Sequence, residues 1–201
     1  GFPSYYCDCK EGYTNFQLPV DTVISYQPIW FKGWVSDLYD GLSAYLHSDC
    51  DLNFEVYASC TAKEPRYQAI FSRNKANAID GESIKRKLEE NQVGNLDIAF
   101  YICISPMGGE GGRLIMRKES DGMPSTCDEP LYMLPGMSLY STQNNDVYVI
   151  DPAELNSLTD IIIQWEPDKT TSCQLKVTRG SCNGPIMAQT TLETDDAYII
   201  P

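Results

Sequence analysis

Apolar and polar residues alternate with a period of two along much of this chain, and the alternating runs are short. In the clearest run Leu52, Phe54, Val56 and Ala58 fall on one side and Asn53, Glu55 and Tyr57 on the other. Successive side chains of a strand point to opposite faces, so such a run fits an antiparallel sheet with one buried face. Segments dense in β-branched and aromatic residues and bounded by turn residues predict strands at Thr22–Tyr26, Ile29–Val35, Leu42–His47, Leu52–Ala58, Tyr67–Ser72, Asp97–Ser105, Arg113–Arg117, Val147–Ile150, Asp160–Trp165, Gln174–Thr178 and Ile186–Thr190. Helical periodicity is scarce. Asp80 to Asn91 joins an N-cap acid to apolar Ile84 and Leu88, with charges elsewhere, and predicts one short surface helix whose solvated side carries Lys85-Arg86-Lys87. Asp151-Pro152-Ala153-Glu154 has an N-cap acid, proline at the first helical position and glutamate at the third, a start for a second short helix.

These elements predict a mostly β chain of two consecutive antiparallel β-sandwich, jelly-roll-like modules with one or two short helices. Residues 1–18 are rich in cysteine and tyrosine without a period, and read as an irregular leader pinned by disulfides. The first module is expected at 19–122 and a second, shorter one at 123–201, with the turn-rich Ser120 to Thr126 between them. The chain also echoes itself: Cys50 to Cys60 and Cys173 to Cys182 each run cysteine, alternating strand, Ser-Cys. Such self-similarity points to duplicated β modules rather than a single enzyme core.

Composition narrows the partners. The 201 residues hold 15 Lys and Arg against 28 Asp and Glu, a net charge of −13. A nucleic-acid binder needs a basic stripe to displace counterions, and none is visible. Calcium or a basic protein surface suits the charge better. No apolar run approaches the roughly 18 residues of a membrane span. No signal peptide is present, which reads as a mature or trimmed form.

The eight cysteines lack the paired spacing of a structural zinc site, and His47 is the sole histidine. An even count without metal spacing favours disulfides in an oxidising compartment. Cys50–Cys60 and Cys173–Cys182 are the expected pairs, because each brackets one strand-like segment and its turn. The absence of an Asn-x-Ser/Thr sequon favours a bacterial envelope over a eukaryotic secretory route.

The first module resembles the bacterial pre-peptidase C-terminal type of β-sandwich, an accessory domain of exported proteins. The likeness is carried by Ile29-Trp30-Phe31, by Gly41-Leu42-Ser43-Ala44-Tyr45-Leu46, by Asp51 to Cys60, by Ala99 to Ile104, and by the glycine turn with Gly112 to Met116. It covers roughly residues 28 to 118. The resemblance implies an envelope or secreted location and accessory binding, with no catalytic residues to carry over.

Candidate chemistry is sparse. His47 sits beside Ser48 and Asp49, but adjacent residues cannot fold back into a catalytic triad. Met107 to Gly112 lacks the Gly-Lys-Ser/Thr ending of a phosphate loop and is followed by a strand, so it reads as a flexible hairpin turn. Asp37, Asp40, Asp49 and Asp51 flank two loops and supply hard oxygen ligands of the kind calcium takes; no other cofactor is indicated. Thirteen tyrosines and three tryptophans offer stacking surfaces for sugar rings or a peptide. Trp30 and Trp34 share parity and form either a binding strip or part of the core. The reading is a secreted or cell-envelope module, non-catalytic, that binds a glycan or protein at the cell surface through Trp34, Tyr39, Tyr45 and Tyr57. A hydrolase of carbohydrate or peptide and a structural spacer are the alternatives.

Overall fold

The computed structural model describes residues 12–38, 41–90, 92, 97–133, 138–139, 142, 145–150, 161–164, 172–193 and 197–200. Its strands are β1 (Thr14–Asn15), β2 (Val20–Ile24), β3 (Ile29–Trp34), β4 (Leu42–Ser48), β5 (Leu52–Tyr57), β6 (Tyr67–Phe71), β7 (Lys75–Ile79), β8 (Ala99–Pro106) and β9 (Gly112–Lys118). They are followed by β10 (Leu131–Tyr132), β11 (Tyr148–Val149), β12 (Ile161–Gln164), β13 (Ser172–Thr178), β14 (Ile186–Glu193) and β15 (Ala197–Ile200). One helix, α1 (Gly81–Glu89), lies between β7 and β8.

The pairing of the first nine strands defines the architecture. β5 pairs with β6, β4 with β7, β3 with β8 and β2 with β9, all antiparallel. These nested pairs form one long ribbon. It is rolled so that β4 also meets β9 and β5 meets β8. The result is a five-stranded sheet, β1-β3-β8-β5-β6, and a four-stranded sheet, β2-β9-β4-β7. A ribbon of eight strands rolled into two sheets is a jelly roll, as the sequence led us to expect for the first module.

Between the sheets lies the core that the alternation foresaw. Leu52, Phe54 and Val56 from β5, Phe100, Ile102 and Ile104 from β8 and Phe31 from β3 meet Leu42, Ala44 and Leu46 from β4 and Leu114 and Met116 from β9. Burying each large side chain contributes roughly 1.5–3 kcal/mol, so this interior is the main source of stability. Phe16 belongs to the same core, with its ring edge-on to Phe31 and Phe100. Residues 14–16 are therefore part of the sandwich rather than of an irregular leader. Gly33 faces this cluster: a Cβ there would come within 2.5 Å of the Phe100 ring.

The helix forms where expected. Asp80 accepts a hydrogen bond from the Ser83 amide at 2.9 Å, closing the N-terminus, while Ile84 and Leu88 seal one end of the core. Arg86 and Lys87 point to solvent. The glycine-rich segment after β8 is not a hairpin turn. β8 belongs to the five-stranded sheet and β9 to the four-stranded one, so the segment crosses between sheets.

Beyond β9 the chain turns at Glu119–Asp121 and Gly122 and returns over the outer face of the four-stranded sheet. Met123 and Leu131 join Tyr45 and Ile115 in a second buried cluster, with Leu139 and Tyr148 against it. The expected boundary at residue 122 is thus bridged by packing. The remaining described strands pair in twos: β10 with β11, β12 with β15 and β13 with β14. Much of the expected second module, including the helix start at Asp151 to Glu154 and the strand end at Trp165, lies outside the described residues.

Candidate functional site

The outer face of the five-stranded sheet carries the even-numbered positions of β3 and the odd-numbered positions of β5 and β8. Register sets Trp30 opposite Cys103, Lys32 opposite Tyr101 and Trp34 opposite Ala99. On the other flank of β8, Glu55 is opposite Cys103 and Tyr57 opposite Tyr101. Trp30 and Trp34 therefore do share a face, and it is the outer one, not the sandwich core.

This face divides into a covered half and an open half. Trp30 and Tyr57 pack at a centroid distance of 5.4 Å and are buried with Cys103, and Cys60, Ala62 and Tyr101 lie against them. At the open half Trp34 and Tyr13 are each 47% exposed. Between them lies Lys32, whose ammonium is 5.6 Å from the Tyr13 ring centre and 5.7 Å from those of Trp34 and Tyr101. Those distances fall within the range of cation–π attraction. Tyr13 also stands edge-on to Tyr101 at 5.9 Å.

A polar row adjoins the covered half. Glu55 accepts hydrogen bonds from Asn53 at 2.8 Å, from the Tyr57 hydroxyl at 3.0 Å and from Gln68 at 3.1 Å. Burial, and then the Glu55 carboxylate, push the Tyr57 phenol well above its ordinary range. The face thus offers flat rings, a cation and a fixed row of hydrogen-bonding groups.

The expected contact residues separate sharply. Trp34 is at the surface. Tyr57 is on the correct face but buried against Trp30. Tyr39 lies outside the described residues. Tyr45 is corrected outright: it is 1% exposed and points into the cluster under the returning segment. Its hydroxyl donates to the Tyr132 carbonyl at 3.1 Å and accepts from the Tyr132 amide at 2.9 Å. Tyr13, Lys32 and Tyr101 were missed. Lys32 shares the parity of Trp30 and Trp34, a signal present in the sequence; Tyr101 and Tyr13 reach the site only through strand pairing.

The four acids considered for calcium do not form one site. Asp37 follows β3 at one end of the sandwich, whereas Asp49 and Asp51 follow β4, which spans roughly 20 Å from its first residue to its last. Asp49 accepts from the Glu110 amide, and Asp51 from the Arg73 amide at 2.9 Å. Asp40 lies outside the described residues, and among the described residues no group of three or more candidate ligands converges.

Both expected disulfides are also corrected. Cys50 and Cys173 are free thiols, and Cys182 is bonded to Cys127, with the Cα atoms 6.0 Å apart. Cys60 and Cys103 are disulfide-bonded. The reason is geometric: cysteines that bracket one extended strand sit at its two ends, far beyond the roughly 4.4–6.8 Å a disulfide spans. His47, on the outer face of the four-stranded sheet, stacks on the Tyr132 ring at 4.3 Å. Its cross-strand neighbour Arg113 is bonded to Asp21 through two hydrogen bonds of 3.1 and 2.8 Å.

The fold and this face define an antiparallel jelly-roll sandwich with a partly open aromatic sheet surface. Among models of known protein families, curated proteins and solved structures, none matches the chain. Among the described residues no helix is long and apolar enough to cross a membrane.

Proposed function

We propose that this chain is a non-catalytic binding module of an exported protein and that its ligand is a glycan held on the open half of the five-stranded sheet. The observation that carries the reading is the exposure of Trp34 and Tyr13 on either side of Lys32. Stacking on rigid rings suits a sugar, whose apolar ring faces need a flat surface and whose hydroxyls need nearby polar groups.

A protein partner fits the face less well. A stable protein interface covers about 800 Å² per side around an apolar centre. Among the described residues of this sheet's other strands, the exposed large apolar residue is Ile70 on β6, three strands from β3, with Glu55 on β5 between them and Gln68 beside it. Secretion or an envelope location in a bacterium is supported by the disulfide-bonded cysteines and by the resemblance of residues 28–118 to pre-peptidase C-terminal modules. The fold alone says nothing about ligand, since jelly rolls host many activities.

The test is an array of bacterial and host glycans probed with the intact chain, first with calcium and then with chelator. Reproducible binding that Trp34→Ala abolishes is the expected result, and loss with chelator would add calcium to the site. A blank array at micromolar protein would overturn the reading in favour of a protein partner or a structural role.

A further inference from the structure

Among the described residues, the open half of the five-stranded sheet contains a cation without a matching anion. The chain carries 28 acids against 15 bases, so a basic side chain has many potential carboxylate partners. Arg113 has taken two of them, Asp21 and Glu129. Lys32, by contrast, makes no ion pair among the described residues and is surrounded by the rings of Tyr13, Trp34 and Tyr101. The nearest acid on its face by register, Glu55, stands opposite Cys103, two residues along β8 from Lys32's partner Tyr101, and already accepts three hydrogen bonds.

We infer that the site selects anionic sugars, with the negative group of a carboxylated or sulfated ring pairing with Lys32 while the ring stacks on Trp34. This rests on the reading of the face as a glycan site and specifies which glycans it takes. The ammonium already sits 5.6–5.7 Å from three ring centres, so an anion meets a cation placed on the face beforehand. A lysine ammonium is a point charge without the planar fork of arginine, so it accepts carboxylate and sulfate alike. The overall charge of −13 opposes an anionic ligand at long range. That opposition is screened beyond about 8 Å at physiological salt, whereas the short contact with Lys32 is weakened less.

The experiment titrates the intact chain with matched oligosaccharides: a uronic-acid oligomer, its carboxyl-reduced neutral form, and a sulfated analogue of the same backbone. Lys32→Gln and Trp34→Ala are titrated in parallel, with folding checked by circular dichroism. The expected result is that the anionic oligomers bind more tightly than the neutral one and weaken as salt is raised. Lys32→Gln should then lower their affinity by roughly five- to tenfold, and lower that of the neutral oligomer by less. Equal binding of neutral and anionic forms, untouched by Lys32→Gln but lost in Trp34→Ala, would overturn the charge selection and keep the glycan site. No binding of any oligomer at millimolar concentration, with folded protein, would overturn both. Preference between the uronic and sulfated forms identifies which anionic group the site takes.

Discussion

The two outer faces of the sandwich start from similar sequence and meet different fates. Each places an aromatic residue at an outward position of a strand, Trp34 on β3 and Tyr45 on β4. Tyr45 is closed over by a segment 87 residues further along, whose Tyr132 backbone binds its hydroxyl on both sides. Trp34 keeps 47% of its surface exposed beside Lys32. An outward aromatic is therefore not in itself a contact residue. What decides is whether a distant part of the chain returns to cover it.

That comparison gives its largest effect at Tyr45. Tyr45→Ala should remove about 3–5 kcal/mol from the unfolding free energy, the usual cost of truncating a buried aromatic side chain. The check is the urea midpoint at unchanged slope, and a loss below about 1 kcal/mol would show that the returning segment does not cover this face. Next comes the disulfide that ties the returning segment to the β13–β14 hairpin. Its sequence separation is 55. Replacing both Cys127 and Cys182 by serine should cost about 2–4 kcal/mol through the entropy regained by the unfolded chain.

Tyr45→Phe separates the hydroxyl from the ring. It keeps the packing but leaves the Tyr132 amide and carbonyl without this partner, for an expected loss of about 1–3 kcal/mol. Trp34→Ala should be the mildest for stability, within about 0.5 kcal/mol, while being the most damaging to glycan binding. If Trp34→Ala instead unfolded the chain as Tyr45→Ala does, the two faces would not differ in the way described.

Alkaline titration sharpens the same contrast through the covered phenols. Burial raises the ionisation of Tyr45, Tyr57, Tyr67 and Tyr148 above the ordinary value. In the unfolded chain these hydroxyls ionise near pH 10, so above that pH the native state holds more protons. Their contribution to stability is whole below about pH 10 and declines as the pH rises toward the native values. The denaturation midpoint should fall over that interval, and tyrosinate absorbance should lag in the folded chain relative to the unfolded one. Coincident titration of folded and unfolded chains would contradict the burial described.

Much of the sandwich was legible because its signals are local. The alternation of Leu52, Phe54 and Val56 against Asn53, Glu55 and Tyr57 placed each residue on its correct face. Asp80 capped α1 as its residue type implies. β7 escaped notice because Lys75-Ala-Asn-Ala-Ile79 carries one β-branched residue and no aromatic one, and owes its existence to pairing with β4. Phe16 escaped because the cysteine- and tyrosine-rich stretch before it shows no period, and the Phe16, Leu18 pair is too short to establish one.

Features set by distant pairing were the ones misplaced. In both segments of the cysteine echo the first cysteine is free and the second bonded. Yet proximity in sequence along an extended strand is separation in space, so the expected pairs could not form. Parity placed Trp30 with Trp34 and carried the same signal for Lys32, which was not used. The third ring, Tyr101, required the register of β3 against β8.

The most direct test of the account is chemical-shift mapping on the isotopically labelled intact chain during titration with a uronic-acid oligosaccharide. The account expects the changes to centre on Tyr13, Lys32, the Trp34 indole and Tyr101, with His47, Arg113 and Tyr132 unmoved. Changes centred on the face that holds His47 and Tyr132, or none at millimolar ligand, would contradict it.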